Sequence, residues 1–179
     1  MPKKGYVPKT SRKKLSLSVE KQRELISKAE GKRKLLLLLM LSTGMHPRVL
    51  SNDKCNLTWD KSQYAYNRPK TKREVMGAWS VALKEENLDQ LKALRRTRQS
   101  LWQMVKEEGE KVGISGLCPV QLRHTYFVNR ARLKHDAFSI AESAGTDLHT
   151  VYKYYTIGIS ESKALSDSDI EFLAWLMEC

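Results

Sequence analysis

Seven consecutive apolar residues, Leu35 to Leu41, constrain the fold of this chain more than any other stretch. A basic front of Lys32, Arg33 and Lys34 precedes them and Thr43-Gly44 follows, which predicts a helix over residues 32–42. Such a helix is apolar all round, so it is buried on every side and the other elements must pack around it. The run is too short to span a bilayer, and no membrane association is expected. With 179 residues the chain has length for one domain and a real core.

Charge narrows the choice of partner. Thirty-two Lys and Arg against twenty Asp and Glu give a net charge of +12 and a pI near 9.7. That excess favours a polyanion, with double-stranded DNA the first candidate, although a solvated basic face produces the same numbers. Cys55, Cys118 and Cys179 form no CxxC pair, so neither a disulfide framework nor a zinc site is indicated. A reducing, cytoplasmic setting is expected. Met1-Pro2-Lys3-Lys4-Gly5 has no apolar core behind its charges and is not a secretory signal.

Around the central helix the pattern predicts a mainly helical α+β domain. Residues 1–14, with six lysines and arginines and no apolar period, read as a flexible basic arm. Ser18 is a candidate N-cap for a helix through about Ala29, ended by Gly31. Pro47 suits the first turn of a short helix. Cys55 to Trp59, Gln63 to Tyr66 and Glu74 to Leu83 are β-prone and predict a three-stranded antiparallel sheet on one side. Glu85 to Val112 returns to helical spacing, as two helices with a break near Arg98 to Ser100. Helices are then expected over 120–133, 136–144 and 147–155. The domain closes near residue 165, and residues 166–179 form an amphipathic terminal helix that needs a groove.

Four landmarks occur in a particular order: Thr43-Gly44-Met45, Lys70-Thr71-Lys72 on a hairpin, Leu122-Arg123-His124-Thr125, and Gly145 followed ten residues on by Tyr155. Over roughly residues 17–160 this order resembles the catalytic domain of tyrosine recombinases, the phage integrase family. The resemblance implies site-specific DNA recombination or integration, in a phage or mobile-element setting. A tyrosine phenol attacks a phosphodiester, arginines stabilise the charge gathered in the transition state, and a general acid protonates the leaving 5′ oxygen. Neither metal nor nucleotide cofactor is implied. The terminal helix is expected to dock on a neighbouring protomer in a homo-oligomer on DNA, with packing on its own chain as the alternative.

Carried onto this sequence, the resemblance places Tyr155 at the nucleophile, Arg123 at the second phosphate-binding arginine and Lys70 at the general acid, with Lys72 contesting that last role. Contacts to DNA are expected from Lys72, Arg73, His124, His149 and Lys153. Several positions depart from the family pattern. His46 stands at the first arginine, Val49 at the acid that braces it, Val120 at the histidine of the His-x-x-Arg string, and Thr146 at the residue after Gly145. Valine transfers no proton, and a neutral imidazole lacks the charged fork of a guanidinium. Each loss costs about 3–4 kcal/mol of transition-state stabilisation by analogy with oxyanion-donor deletions, so cleavage is expected to be very low or absent unless Arg48 substitutes.

A second reading competes. Ile140 to Tyr154 also fits a helix-turn-helix, with Gly145 at the turn and His149, Thr150 and Lys153 facing a groove. On that reading the protein is a non-catalytic DNA-binding regulator. Convergence of Arg123, Lys70 and Tyr155 on one basic concavity is the structural requirement of the recombinase reading.

Overall fold

The computed structural model describes residues 16–179, and the expected basic arm lies outside the described residues. Helix α2 (Gly31–Thr43) occupies the centre. All seven residues of its apolar run are at most 1% exposed, as a helix without a polar face requires. It ends at Gly44, whose left-handed φ of 59° also lets the chain pass close to Tyr126: a Cβ there would lie 2.3 Å from the ring. Around α2 pack α1 (Val19–Lys28), α5 (Arg98–Lys111), α6 (Pro119–Arg132) and α9 (Asp167–Met177). A short α3 (Arg48–Ser51) follows Pro47.

The sheet is antiparallel, in the order β1 (Thr58–Trp59), β2 (Gln63–Asn67), β3 (Glu74–Ala78). Its β2–β3 register runs from Gln63 opposite Ala78 to Asn67 opposite Glu74. Tyr64, Tyr66 and Val75 point into the core. The sheet departs from expectation at two ends. Cys55 belongs to a 3-10 turn over Asp53–Cys55, and Asn56 at φ 47° interrupts the extended run, so β1 is only two residues long. The third strand stops at Ala78 and the chain turns into α4 (Val81–Lys84). Ala82 and Leu83 are adjacent and both buried, which one helical turn permits and an alternating strand does not.

Leu88–Leu94 forms 3-10 turns rather than an α-helix, and α5 starts after the Thr97 cap, so the break precedes its expected place. Gly31 does not end α1; the chain leaves at Ala29 in an extended conformation and Gly31 opens α2. Helix α7 (Ala137–Ser143) matches its expected range, whereas α8 (Leu148–Glu161) runs six residues beyond Tyr155. Gly158 explains the extension. It presses α8 onto α6, where an added Cβ would meet the Val128 carbonyl oxygen and the Ala131 Cβ, each at 2.5 Å. Below that contact, Gln22 and Asn129 exchange amide hydrogen bonds of 3.1 and 2.7 Å, and Arg132 donates to Asn129 Oδ1 at 2.7 Å and to Glu161 at 2.8 Å. These bonds join α1, α6 and α8 while satisfying buried polar groups.

Ser166 and Asp169 form a capping box at the start of α9, which packs against α2 and α4 of its own chain and buries Leu173, Leu176 and Met177. Val81 N–H donates to the Glu178 carbonyl at 2.8 Å, tying the terminus to α4. Replacing Gly158 by Ala is expected to cost about 1–3 kcal/mol through overpacking against backbone. Urea unfolding of the variant against the parent protein measures it.

Candidate functional site

The site begins with one buried arginine. Cys118 caps α6 and Pro119 takes its first position, where a missing N–H is harmless, so Arg123 lies just past the first turn. Its side chain is buried, its guanidinium lies 5.3 Å from the Phe127 ring centroid, and its Nη1 donates to the carbonyls of Gly44 and Ala144, the latter at 3.0 Å. These two carbonyls belong to the C-cap of α2 and the turn between α7 and α8, so one side chain joins three helices at the edge of the site. Tyr66 Oη donates to the same Ala144 carbonyl at 3.4 Å, adding the sheet to the junction. Burial pulls the Arg123 pKa down, and the positive charge of Arg68 acts in the same direction.

Arg123 lines a cavity of about 380 Å³ whose wall also carries His46, Arg48, Lys70, Val120, His124 and Thr146. Arg68, Pro69 and Thr71 enter from the β2–β3 hairpin, and Gly145, Asp147 and Thr150 from the start of α8. A neighbouring cavity of about 220 Å³ shares His46, Arg48 and Lys70 and adds Arg98 and Trp102 from α5. Asp147 is the one carboxylate on either wall, and it is engaged as the N-cap of α8, accepting from Thr150 N at 2.7 Å. The concavity is therefore strongly cationic, and its chemistry suits a bound oxyanion.

Two histidines on this wall are held neutral. Burial pushes the His46 pKa down to about 4, reinforced by Arg123, Arg48, Arg98 and Lys70, and burial followed by Arg123 and Lys153 pushes His124 to about 4. His46 Nδ1 accepts from Arg48 N at 3.1 Å, which caps the start of α3 and turns the imidazole into a local structural acceptor. His46 thus brings no positive charge to the wall.

The expected site residues divide accordingly. Arg123, Lys70, His46, Arg48, Thr146 and His124 come together on the cavity wall. Lys72 sits at φ 59° in the exposed hairpin turn and outside that wall, which leaves Lys70 as the hairpin lysine facing the cavity. Arg73 is exposed and pairs with Glu142 at 3.7 Å. His149 and Lys153 lie on the exposed face of α8. Tyr155 lies outside the cavity wall, half-buried with its ring edge-on to Tyr152 at 6.2 Å. Its neighbour Tyr154 is the phenol joined to the wall: Oη lies 3.0 Å from His124 Nε2 and the two rings stack at 4.2 Å. The expected convergence thus holds for Arg123 and Lys70 but not for Tyr155.

Arg68, Arg98 and Tyr154 escape the sequence reading. Arg68 stands two residues before Lys70 on the same hairpin, a signal that was available. Arg98 reaches the second cavity only through the packing of α5, which no local pattern encodes.

No family model matches the chain, and no curated protein sequence does. Solved structures do. A XerH site-specific recombinase bound to palindromic difH substrate in a post-cleavage complex superposes with a TM-score of 0.62 at 19% identity, over 83% of this chain and 52% of that one. XerH in a pre-cleavage complex with difH gives 0.60 at 18% identity, over 84% and 52%. The XerA recombinase gives 0.59 at 21% identity, over 88% and 62%. The chain spans about half to six-tenths of these proteins.

Because both histidines have a folded pKa near 4 against an ordinary 6.5, folding excludes their protons. The stability they contribute is complete above about pH 6.5 and is lost as pH falls towards 4. Urea midpoints at pH 7.5 and pH 5 are expected to drop less in a His46→Gln/His124→Gln double variant than in the parent. At this level of likeness the comparisons establish architecture, and the chain has the fold of the XerH and XerA recombinases over the matched part.

Proposed function

We propose that this protein binds double-stranded DNA in the cationic concavity around Arg123 and acts in site-specific recombination of the tyrosine type, with much reduced cleavage. The observation that carries the reading is the meeting of Arg123, Lys70 and the start of α8 on one basic wall within a recombinase fold. In the reaction, a phenol oxygen of α8 bonds to phosphorus and passes its proton to water. The bond to the 5′ oxygen breaks, and that oxygen takes a proton from Lys70. Arg123 stabilises the developing charge, with one nitrogen committed to backbone carbonyls and the rest of its fork available to phosphate.

The departures at His46 and Val120 weaken the chemistry more than the binding. Neutral His46 adds nothing to charge stabilisation, and Val120 adds an apolar surface where a proton-transferring group would otherwise act. DNA binding, which depends on the summed charge, tolerates both. Tyr155 is the nucleophile by its spacing from Gly145. To reach a phosphate on Arg123 it must enter a cavity whose wall it does not form, so α8 has to shift when DNA binds. Assembly on DNA through α9 of a neighbouring copy belongs to the same proposal.

A nicked suicide duplex carrying the protein's own attachment site tests it. A slow covalent adduct is expected, abolished in Tyr155→Phe and retained in Tyr154→Phe. Duplex binding without any adduct would favour the regulator, for which the exposed stripe of Leu148, His149, Tyr152 and Lys153 on α8 is the surface offered to DNA.

A further inference from the structure

The cavity contains one arginine that neither the resemblance nor the catalytic scheme uses. Arg68 follows β2 and is fixed at its root by the hairpin: its N–H donates to the Arg73 carbonyl at 2.9 Å, and its carbonyl accepts from Lys72 N at 3.1 Å. From there the side chain lines the same wall as Arg123. Its Nε is buried and has no hydrogen-bond partner among the described residues, and none of the ion pairs among them includes it. A buried guanidinium N–H without an acceptor is costly, and an external oxyanion would supply one.

The surroundings leave few internal acceptors. Asp147 is occupied in capping α8, Glu142 pairs with Arg73, and Glu74 at the start of β3 lines a separate surface hollow with Arg68 rather than the cavity wall. Arg68 stands close enough to Arg123 for its charge to weaken that residue's hold on its proton, so two guanidinium groups share a space with no free counter-charge on its wall. Gly145 makes the placement possible: a Cβ there would come within 3.2 Å of Arg68 Nε and 2.9 Å of Val75 Cγ2. Without a side chain at 145, Arg68 Nε lies against the turn that leads into α8.

We infer that Arg68 is a second phosphate-binding guanidinium of this cavity, meeting the same DNA phosphate as Arg123 and providing from the hairpin side the charge that His46 does not provide. This rests on the proposed DNA-binding reading of the cavity. It differs from a structural role for Arg68, because the structure records no bond from its guanidinium that holds the hairpin together.

Fluorescence anisotropy with a short random-sequence duplex, titrated across salt, tests the assignment in the full chain. Arg68→Gln is expected to weaken binding about tenfold or more, as for loss of a charge-assisted hydrogen bond, and to reduce the salt slope by about 1. Lys61→Gln removes one positive charge from the exposed turn between β1 and β2, away from the cavity, and is expected to change affinity far less. Arg68→Lys keeps the charge without the fork, so it should restore the salt slope but not the full affinity. Thermal melting should be the same for all three variants. If Arg68→Gln and Lys61→Gln behave alike while the parent protein binds, Arg68 is not a phosphate ligand and the DNA-binding reading stands. If the parent fails to bind duplex even at low salt, that reading fails and the assignment falls with it.

Discussion

The structure around the site depends on the hydrogen bonds from Arg123 Nη1 to the Gly44 and Ala144 carbonyls. Gly44 ends the central helix and Ala144 stands at the head of the turn into α8, so elements a hundred residues apart meet on one nitrogen. A permanently charged group is suited to this position. It remains a donor even though burial and the charge of Arg68 oppose it, whereas a lysine would offer no planar fork to reach two carbonyls and still face the cavity. On the proposed DNA-binding reading, phosphate recognition and the integrity of the fold are joined in a single side chain. The role of Arg123 in binding therefore cannot be read from its deletion alone, which is why Lys70 and Arg68 are the more informative positions.

Much of this was legible in the sequence because the strongest signals are local. A run of seven apolar residues has one physical solution in a protein of this size, and α2 adopts it. The Ser18 cap and the turn at Gly145 depend on residues next to the backbone they serve, and each starts or ends a helix as expected. Elsewhere the reading was less accurate. The third strand was expected to run to Leu83, yet Ala82, Leu83 and Lys84 favour a helix, and α4 forms with Ala82 and Leu83 in the core and the Glu178 carbonyl accepting from Val81. The length of α8 was hidden, since only the close approach of α6 reveals why a glycine at 158 helps rather than breaks the helix.

At the site, motif order located Arg123 and Lys70 but could not locate a phenol. Three tyrosines within four positions differ by about 100° steps around a helix, and spacing from Gly145 says nothing about which step faces the wall. The structure joins Tyr154 to His124 and leaves Tyr155 against Tyr152. Arg68 was hidden for another reason: it is one of 32 basic residues, and its distinction is a buried nitrogen without a partner, which is a property of the folded molecule.

The seat of α9 has a consequence for any assembly built through it. Its buried face of Leu173, Leu176 and Met177 covers a flank of α2, the most apolar element of the molecule. A copy that lent this helix to a neighbour would leave a groove lined by leucines open to water, and such a surface is strongly driven to close. One-way donation is therefore unstable at the donor. Exchange becomes favourable only when every vacated groove receives an equivalent helix, as in a closed ring or a mutual pair, so the burial of α2 selects for assemblies without a free end.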